Sequence, residues 1–268
     1  STPQTVSINI SNVEIEFGMK DISISAFNGC EKLSSPGLDY RLLDNTTNQY
    51  AVTGISGMAG IYCALSRTLF IPSITGDGKQ IIQIDASAFA NAEYLKWVFI
   101  QSGISTIGSK AFQKCYNLEK VDLSQTSVTR IEEYAFDSCK LGHFNYPSSL
   151  TYIGKYAFIR TGNHANVLPN SVTTIDNYAF AYRELSLGGI RLPNNLTSIG
   201  SYAFAHCGDF ILTNIDGTAL TTIGSYAFYN TRLNTTKTLP RTVKTIMLSA
   251  FRNSSFAENF TLSEWSQS

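Results

Sequence analysis

Apolar residues return along this chain on a fixed beat. The dipeptide Ala-Phe occurs nine times, with its phenylalanine at Phe27, Phe89, Phe112, Phe136, Phe158, Phe180, Phe204, Phe228 and Phe251, so more than half of the 16 phenylalanines share one column. From Phe89 onward the intervals are 23, 24, 22, 22, 24, 24 and 23 residues. Five residues before each stands an isoleucine: Ile22, Ile84, Ile107, Ile131, Ile153, Ile175, Ile199, Ile223 and Ile246. Three residues before that lies another apolar side chain: Met19, Ile81, Ile104, Val128, Leu150, Val172, Leu196, Leu220 and Val243. Further upstream a φ-x-x-φ-x-φ pattern appears as Leu95/Val98/Ile100, Leu118/Val121/Leu123, Leu141/Phe144/Tyr146 and Leu187/Ile190/Leu192. Self-similarity at one period is the mark of a stacked array.

The pattern predicts three short elements per unit. The φ-x-x-φ-x-φ stretch ends in period-two alternation, which is a short strand with one buried face. Proline recurs after it at Pro147, Pro169, Pro193 and Pro240 and closes the strand in a turn. Val-Thr-x-Ile, as in residues 172–175, is β-branched and reads as a second extended segment on the opposite side. Gly-Ser-Tyr-Ala-Phe, in residues 200–204 and 224–228, reads as one turn of helix or 3₁₀. Alanine is small because coils stack there, and phenylalanine fills the interior. One coil of 22 to 24 residues cannot bury its own apolar face, whereas stacked coils bury each other's.

Two more columns sharpen the pattern. Tyrosine precedes Ala-Phe at Tyr134, Tyr156, Tyr178, Tyr202 and Tyr226, and a cysteine follows the phenylalanine by three residues at Cys30, Cys115, Cys139 and Cys207. The combined unit φ-x-x-I-x-x-x-A-F-x-x-C-x-x-L-x-x-φ-x-φ resembles the BspA-type leucine-rich repeat, found mainly in bacterial surface proteins and in some parasitic protists. The resemblance runs continuously over residues 79–262. It implies a repeat solenoid, mainly β with short helical or 3₁₀ turns, in which a right-handed leucine-rich-repeat coil carries a concave parallel β-sheet. Two coils depart from the pattern: Asn163, Asn166 and Leu168 after Phe158, and Asn234, Lys237 and Leu239 after Phe228, stand where three apolar residues belong. Looser packing and irregular strands are expected there.

A solenoid needs caps over its outer coils. Residues 38–43 and 50–55 are alternating runs across the polar turn 44–48, which predicts a β-hairpin; in the resembling family such a hairpin is the usual N-terminal cap. Upstream, Met19, Ile22, Ala26, Phe27, Cys30 and Leu33 fall in the repeat columns, behind a strand at residues 6–10. The reading is therefore residues 1–36 as a divergent strand and outer repeat, 37–70 as the capping hairpin region, and 71–268 as the regular array. Phe256, Phe260, Leu262 and Trp265 either close the last coil or belong to a longer array.

Composition narrows the function classes. With 20 basic and 20 acidic residues and 15% charged positions, the chain lacks the charge of a nucleic-acid groove or an anionic-membrane binder. No apolar run approaches the length of a membrane span. The start, Ser1-Thr2-Pro3-Gln4, has neither a basic nor an apolar leader region; a signal peptide is expected to have been removed or never present. The column cysteines read as a buried ladder of small apolar side chains, although Cys115 and Cys139 in successive coils are close enough in sequence logic for one disulfide. Cys63 is off the pattern, and no C-x-x-C occurs. His143, His164 and His206 show no metal-binding spacing, Asp77-Gly78-Lys79 reads as a turn rather than a phosphate loop, and no G-x-S-x-G is present. The sequence points to no catalytic residue, metal or cofactor. Six N-x-[ST] sites, at Asn9, Asn45, Asn195, Asn234, Asn253 and Asn259, mark an Asn/Thr-rich polar surface, or glycosylation in a protist.

Function is then expected on the extended surface. Alternation along the φ-x-x-φ-x-φ strands points two columns outward: Trp97, Lys120, His143, Ala165, Gly189, Leu212 and Thr236, and beside them Phe99, Asp122, Asn145, Val167, Arg191, Asn214 and Thr238. From these, Trp97, Phe99, Lys120, Asp122, His143, Asn145, Arg191 and Asn214 are the candidate ligand-binding residues, with Trp97, Phe99 and Arg191 foremost because Trp and Arg are enriched at binding hot spots. For Trp97 a second reading stands, packing under the N-terminal hairpin. The family resemblance implies a secreted or cell-surface adhesion module that binds a host or neighbouring-cell protein, anchored, if at all, through a lipid on a segment upstream of Ser1. The alternative is a glycan-binding or spacer module of the envelope. Neither nucleic acid nor insertion of this segment into a membrane is expected.

Overall fold

A computed structural model describes residues 37–44, 46–56, 67–162, 167–183, 190–210, 212–233 and 239–256. The expected outer repeat with its strand at 6–10, the closing residues Phe260, Leu262 and Trp265, and the irregular stretches around Asn163 and Asn234 lie outside these residues.

The chain is a mainly β solenoid with parallel sheets, and each side of a coil follows from one part of the repeat. Along the Val-Thr-x-Ile side, two-residue strands stack in perfect register: Gln83–Ile84, Thr106–Ile107, Arg130–Ile131, Tyr152–Ile153, Thr174–Ile175, Ser198–Ile199, Thr222–Ile223 and Thr245–Ile246 pair coil upon coil. The isoleucines Ile84 to Ile223 are fully buried. At the N-terminal end the expected hairpin, Leu38–Asp44 and Gln49–Ile55, joins this sheet through Gln80–Ile84 and makes it ten-stranded. Arg41 fixes the hairpin to the first coil, 2.6 Å from Asp85. Glycine follows isoleucine in several coils because the coils touch there. A Cβ on Gly200 would lie 2.5 Å from the Asn177 nitrogen, and one on Gly224 2.5 Å from the Ser201 nitrogen.

The Ala-Phe side differs from expectation. Instead of a helical turn, the residues two before and two after each phenylalanine adopt the left-handed region, as at Tyr156 (φ 59), Arg160 (φ 54), Tyr178 (φ 58) and Tyr182 (φ 57). A helix needs an unbroken run of negative φ, so these positions end it. Their N–H groups turn along the solenoid axis instead. Tyr156 N donates to Asn177 O (3.0 Å), Phe158 N to Ala179 O (2.8 Å) and Arg160 N to Ala181 O (3.1 Å), and the same triplet recurs from coil to coil. Those inter-coil bonds offset the roughly 1–2 kcal/mol that a left-handed non-glycine residue costs. The one 3₁₀ turn among the described residues is Ile215–Gly217.

Between the sides runs the phenylalanine column. The rings of Phe89, Phe112, Phe136, Phe158, Phe180, Phe204, Phe228 and Phe251 form one stack with centroid separations of 5.2 to 5.5 Å. Three residues on, the cysteine column is a buried donor ladder: Cys115, Cys139 and Cys207 are free thiols, and their Sγ atoms lie 3.2, 3.1 and 3.2 Å from the carbonyls of Phe89, Phe112 and Phe180. The conceivable Cys115–Cys139 disulfide is absent. Thr231 and Ser254 take the same role toward Phe204 and Phe228, at 2.7 and 2.6 Å, so a hydroxyl donor replaces the thiol in two of the coils.

Among the described residues, the stretch between the phenylalanine column and the next coil carries three smaller sheets. Thr68–Ile71, Trp97–Ile100, Lys120–Asp122 and His143–Asn145 form a four-stranded one, Ile190–Arg191 and Leu212–Thr213 a pair, and Gly208–Phe210, Thr231–Leu233 and Ser255–Phe256 a third. The prolines close their strands as expected, since Leu150, Val172, Leu196 and Val243 each donate to the carbonyl of the proline three residues before. Thr75 to Lys79 forms the expected turn, closed by Thr75 N to Lys79 O at 2.8 Å.

Candidate functional site

On the four-stranded sheet the first outward column assembles as the alternation requires. Trp97 pairs with Lys120 and Lys120 with His143, one residue to one residue. Trp97 and Lys120 are half-exposed and His143 exposed. Lys96 Nζ sits 5.4 Å from the centre of the Trp97 ring and 3.3 Å from Glu119, which Lys140 also approaches at 3.9 Å. The strand beside Trp97 is Thr68–Ile71, and the hairpin joins the opposite sheet.

The second column behaves differently, and two of its candidates are corrected. Phe99 is 4% exposed, its ring stacked 5.2 Å from Phe70. Asp122 is also 4% exposed: its Oδ1 accepts from Ser124 N (2.9 Å) and its Oδ2 from Asn145 Nδ2 (2.9 Å). Both are spent on holding the frame together, because a side chain in a stacked column meets its counterpart at strand spacing. Asn145 is exposed and serves that clamp.

In the next sheet the predicted register is off by one residue. Ile190 pairs with Leu212 and Arg191 with Thr213. Leu212, expected outward, is therefore buried, and Asn214 falls outside the column. Asn214 instead bends the chain into the 3₁₀ turn at φ 63, with Nδ2 donating to Leu192 O and to Asn194 Oδ1, both at 2.9 Å. Arg191 stays half-exposed beside exposed Val167 and reaches Asn194 Oδ1 at 3.4 Å. Ala165, Gly189, Thr236 and Thr238 lie outside the described residues. The structure thus brings together Trp97, Lys120 and His143 and leaves Arg191 on a separate sheet.

Sequence reasoning overlooked the aromatic side of the coil. Tyr134, Tyr156, Tyr178, Tyr202 and Tyr226 stack ring on ring at 4.5 to 4.9 Å, each half-exposed. Burial and neighbouring acidic and phenolic groups push the Tyr134 hydroxyl above its ordinary pKa. Two residues after the phenylalanine, Tyr182 stacks on His206 at 4.6 Å and 8°. His206 is met edge-on by Tyr229 at 5.1 Å, and its Nδ1 lies 3.1 Å from Asn230 Nδ2. The signal was present in the Phe+2 positions, Arg160, Tyr182, His206 and Asn230, which the strand-centred reading never lined up.

Buried ionisable groups serve the frame. Arg183 stands in the cysteine column, 1% exposed, with Nη2 3.2 Å from Gly162 O and its guanidinium 5.4 Å from the Phe180 ring centre; burial lowers its pKa. Asp137 accepts from Arg160, Ser138 and Gln113. Burial, then the Asp176 contact, pushes the Tyr152 hydroxyl up to about 12. Among the described residues no group of three His, Cys, Asp or Glu is placed to hold a metal ion, and no helix is long and apolar enough to cross a membrane.

The sequence pattern described as the BspA type leucine rich repeat region matches residues 5–55, 64–186 and 174–268, in six copies. Among solved structures the chain is similar to the leucine-rich repeat protein TpLRR of T. pallidum, with a TM-score of 0.55 and 23% identity over 72% of this chain and 84% of that one. It is also similar to a leucine-rich repeat protein from Bacteroides ovatus, with a TM-score of 0.59 and 21% identity over 80% of this chain and 60% of that one. At such identities the likeness is one of fold. No curated protein matches the chain.

Proposed function

Since the chain belongs to the BspA-type leucine-rich repeat family, we propose that it is a non-enzymatic recognition module, displayed at a cell surface or secreted, that binds a protein through the outward row Trp97, Lys120 and His143 with Arg191 further along the same side. One observation carries the reading. The row is a half-exposed indole, an ammonium and an imidazole in register on consecutive strands of one sheet. Aromatic and basic side chains fixed in advance lose little entropy on binding and supply most of an interface's energy. Phe99, Asp122 and Asn214 support this row from within the coils and do not belong to the contact surface.

The test is binding to immobilised extracellular-matrix and plasma proteins by biolayer interferometry. A Trp97→Ala, Arg191→Ala double variant is expected to lose binding by at least tenfold while its thermal unfolding stays unchanged. Unaltered affinity in that variant removes the assignment of this face.

A further inference from the structure

The tyrosines that precede Ala-Phe form a ladder fixed by the backbone. Tyr134, Tyr156, Tyr178, Tyr202 and Tyr226 all sit in the left-handed region, with φ between 56 and 59. Each donates its N–H to a carbonyl of the next coil at 2.9 to 3.1 Å. Their rings follow one another at 4.5, 4.8, 4.7 and 4.9 Å, with neighbouring planes inclined by 12°, 22°, 4° and 12°. That spacing is the distance between adjacent strands, about 4.8 Å. One tyrosine therefore repeats the next by translation along the solenoid, and each ring carbon lies over its counterpart in the next coil.

Phenols held in this way share one reaction. A one-electron oxidant of the haem peroxidase class takes an electron from a phenol, whose proton leaves to water. Two neighbouring phenoxyl radicals then couple through the ring carbons beside their oxygens. A C–C bond forms, each of those carbons gives up its hydrogen as a proton, and each oxygen takes a proton back, which restores both phenols. One hydrogen peroxide accepts the two electrons and two protons and becomes two water molecules, so the linked pair has lost two hydrogen atoms. Tyr134 and Tyr156 are the most closely stacked pair, at 4.5 Å. Both are half-exposed, which admits the oxidant and leaves solvent into which the rings tilt as the bond forms. Burial and then the Tyr156 phenol raise the Tyr134 hydroxyl above its ordinary pKa, as adjacent phenols do. The easily oxidised thiols of Cys115, Cys139 and Cys207 are buried.

We propose that Tyr134 and Tyr156 are a site of oxidative cross-linking, joined within one molecule as a dityrosine that staples neighbouring coils and constrains the unfolded chain. Partners already in contact react before molecules that must meet by diffusion. The test is treatment of the whole chain, at micromolar concentration, with a haem peroxidase and hydrogen peroxide, followed by trypsin digestion and mass spectrometry of the monomer fraction. A link between peptides 131–140 and 156–160, each of which holds a single tyrosine, is expected at the summed mass less two hydrogen atoms. It should be at least fivefold more abundant than any link through Tyr116, which is 47% exposed. Tyr134→Phe and Tyr156→Phe keep the ring and lose the phenol, and each is expected to abolish the link, whereas Tyr116→Phe leaves it within twofold. Absence of the link in the wild type, links formed chiefly through Tyr116 or between molecules, or a link that survives Tyr134→Phe each overturns the proposal.

Discussion

The isoleucine side and the φ-x-x-φ-x-φ side belong to the same coils, yet among the described residues one is a single ten-stranded sheet and the other carries smaller separate sheets. The two sides also differ in the spacing of the repeat. From the apolar residue that opens the isoleucine side to the phenylalanine is eight residues in every coil from Ile81 to Phe251. From each phenylalanine to the next opening residue it is 15, 16, 14, 14, 16, 16 and 15. Constant length keeps each strand opposite its neighbour. The other side absorbs the changes in coil length: coils with spans of 15, 16 and 14 residues still pair in one sheet. Between the coils after Phe180 and Phe204, both of 16, Ile190 faces Leu212, which is buried. The constant side is the spine, and the variable side carries the differences between coils.

The largest expected effect concerns the stack that both sides lean on. Phe180→Ala, in mid-array and fully buried, should cost about 3–5 kcal/mol. Phe251→Ala, half-buried in the last described coil, should cost no more than about half as much, as nearest-neighbour stacking requires. Denaturant unfolding of both variants checks this, and equal losses would break the picture of coils sheltering one another.

One glycine from each side gives a smaller contrast, although Gly162 in the variable span is packed as tightly as Gly200. Gly200→Ala on the isoleucine side drives a Cβ to 2.5 Å from backbone and should cost about 1–3 kcal/mol. Gly142→Ala on the variable side meets nothing nearer than 3.9 Å and should cost nothing, or stabilise by up to about 1 kcal/mol through the unfolded chain. Thermal melts distinguish them, and a Gly142→Ala loss as large as that of Gly200→Ala would erase the contrast.

A smaller, pH-dependent effect sits where the two sides meet. Burial pushes the Cys207 thiol up to about 12, against about 8.5 in the unfolded chain. The folded state therefore holds its proton more tightly than the unfolded one. Its share of stability is complete below about 8.5 and is lost progressively as the pH rises from there toward about 12. Comparing unfolding of the wild type and Cys207→Ser from pH 8 to 10.5 should show the wild type losing stability faster. Parallel curves would mean that the thiol is not so deeply held.

Much of the spine was legible before any coordinates, because its spacing never varies and each column has one physical job. The hairpin was legible from its alternation. Period two put Phe99 and Asp122 among the outward positions, yet both are buried, because alternation says nothing about whether a neighbour covers a side chain. Asn214 and Leu212 were misplaced because span length does not set the register on the variable side: the coils after Phe180 and Phe204 both span 16 residues, yet Ile190 pairs with Leu212 and the chain then bends into the turn at Ile215–Gly217. The helical turn was misread because tyrosine, serine and lysine give no sign in sequence of the left-handed conformation that inter-coil bonding imposes on them. For the same reason the stack of Tyr182 on His206 went unseen.

One pair of insertions tests the division between spine and variable side most directly. An alanine added after Ser148 lengthens a 14-residue span to 15, a length that other coils use, whereas one added after Tyr156 turns the invariant eight into nine. The first is expected to lower Tm by only a few degrees. The second should remove about 3 kcal/mol or more, lowering Tm by about 10 °C. Equal loss from both insertions, or greater loss from the one after Ser148, would contradict the account.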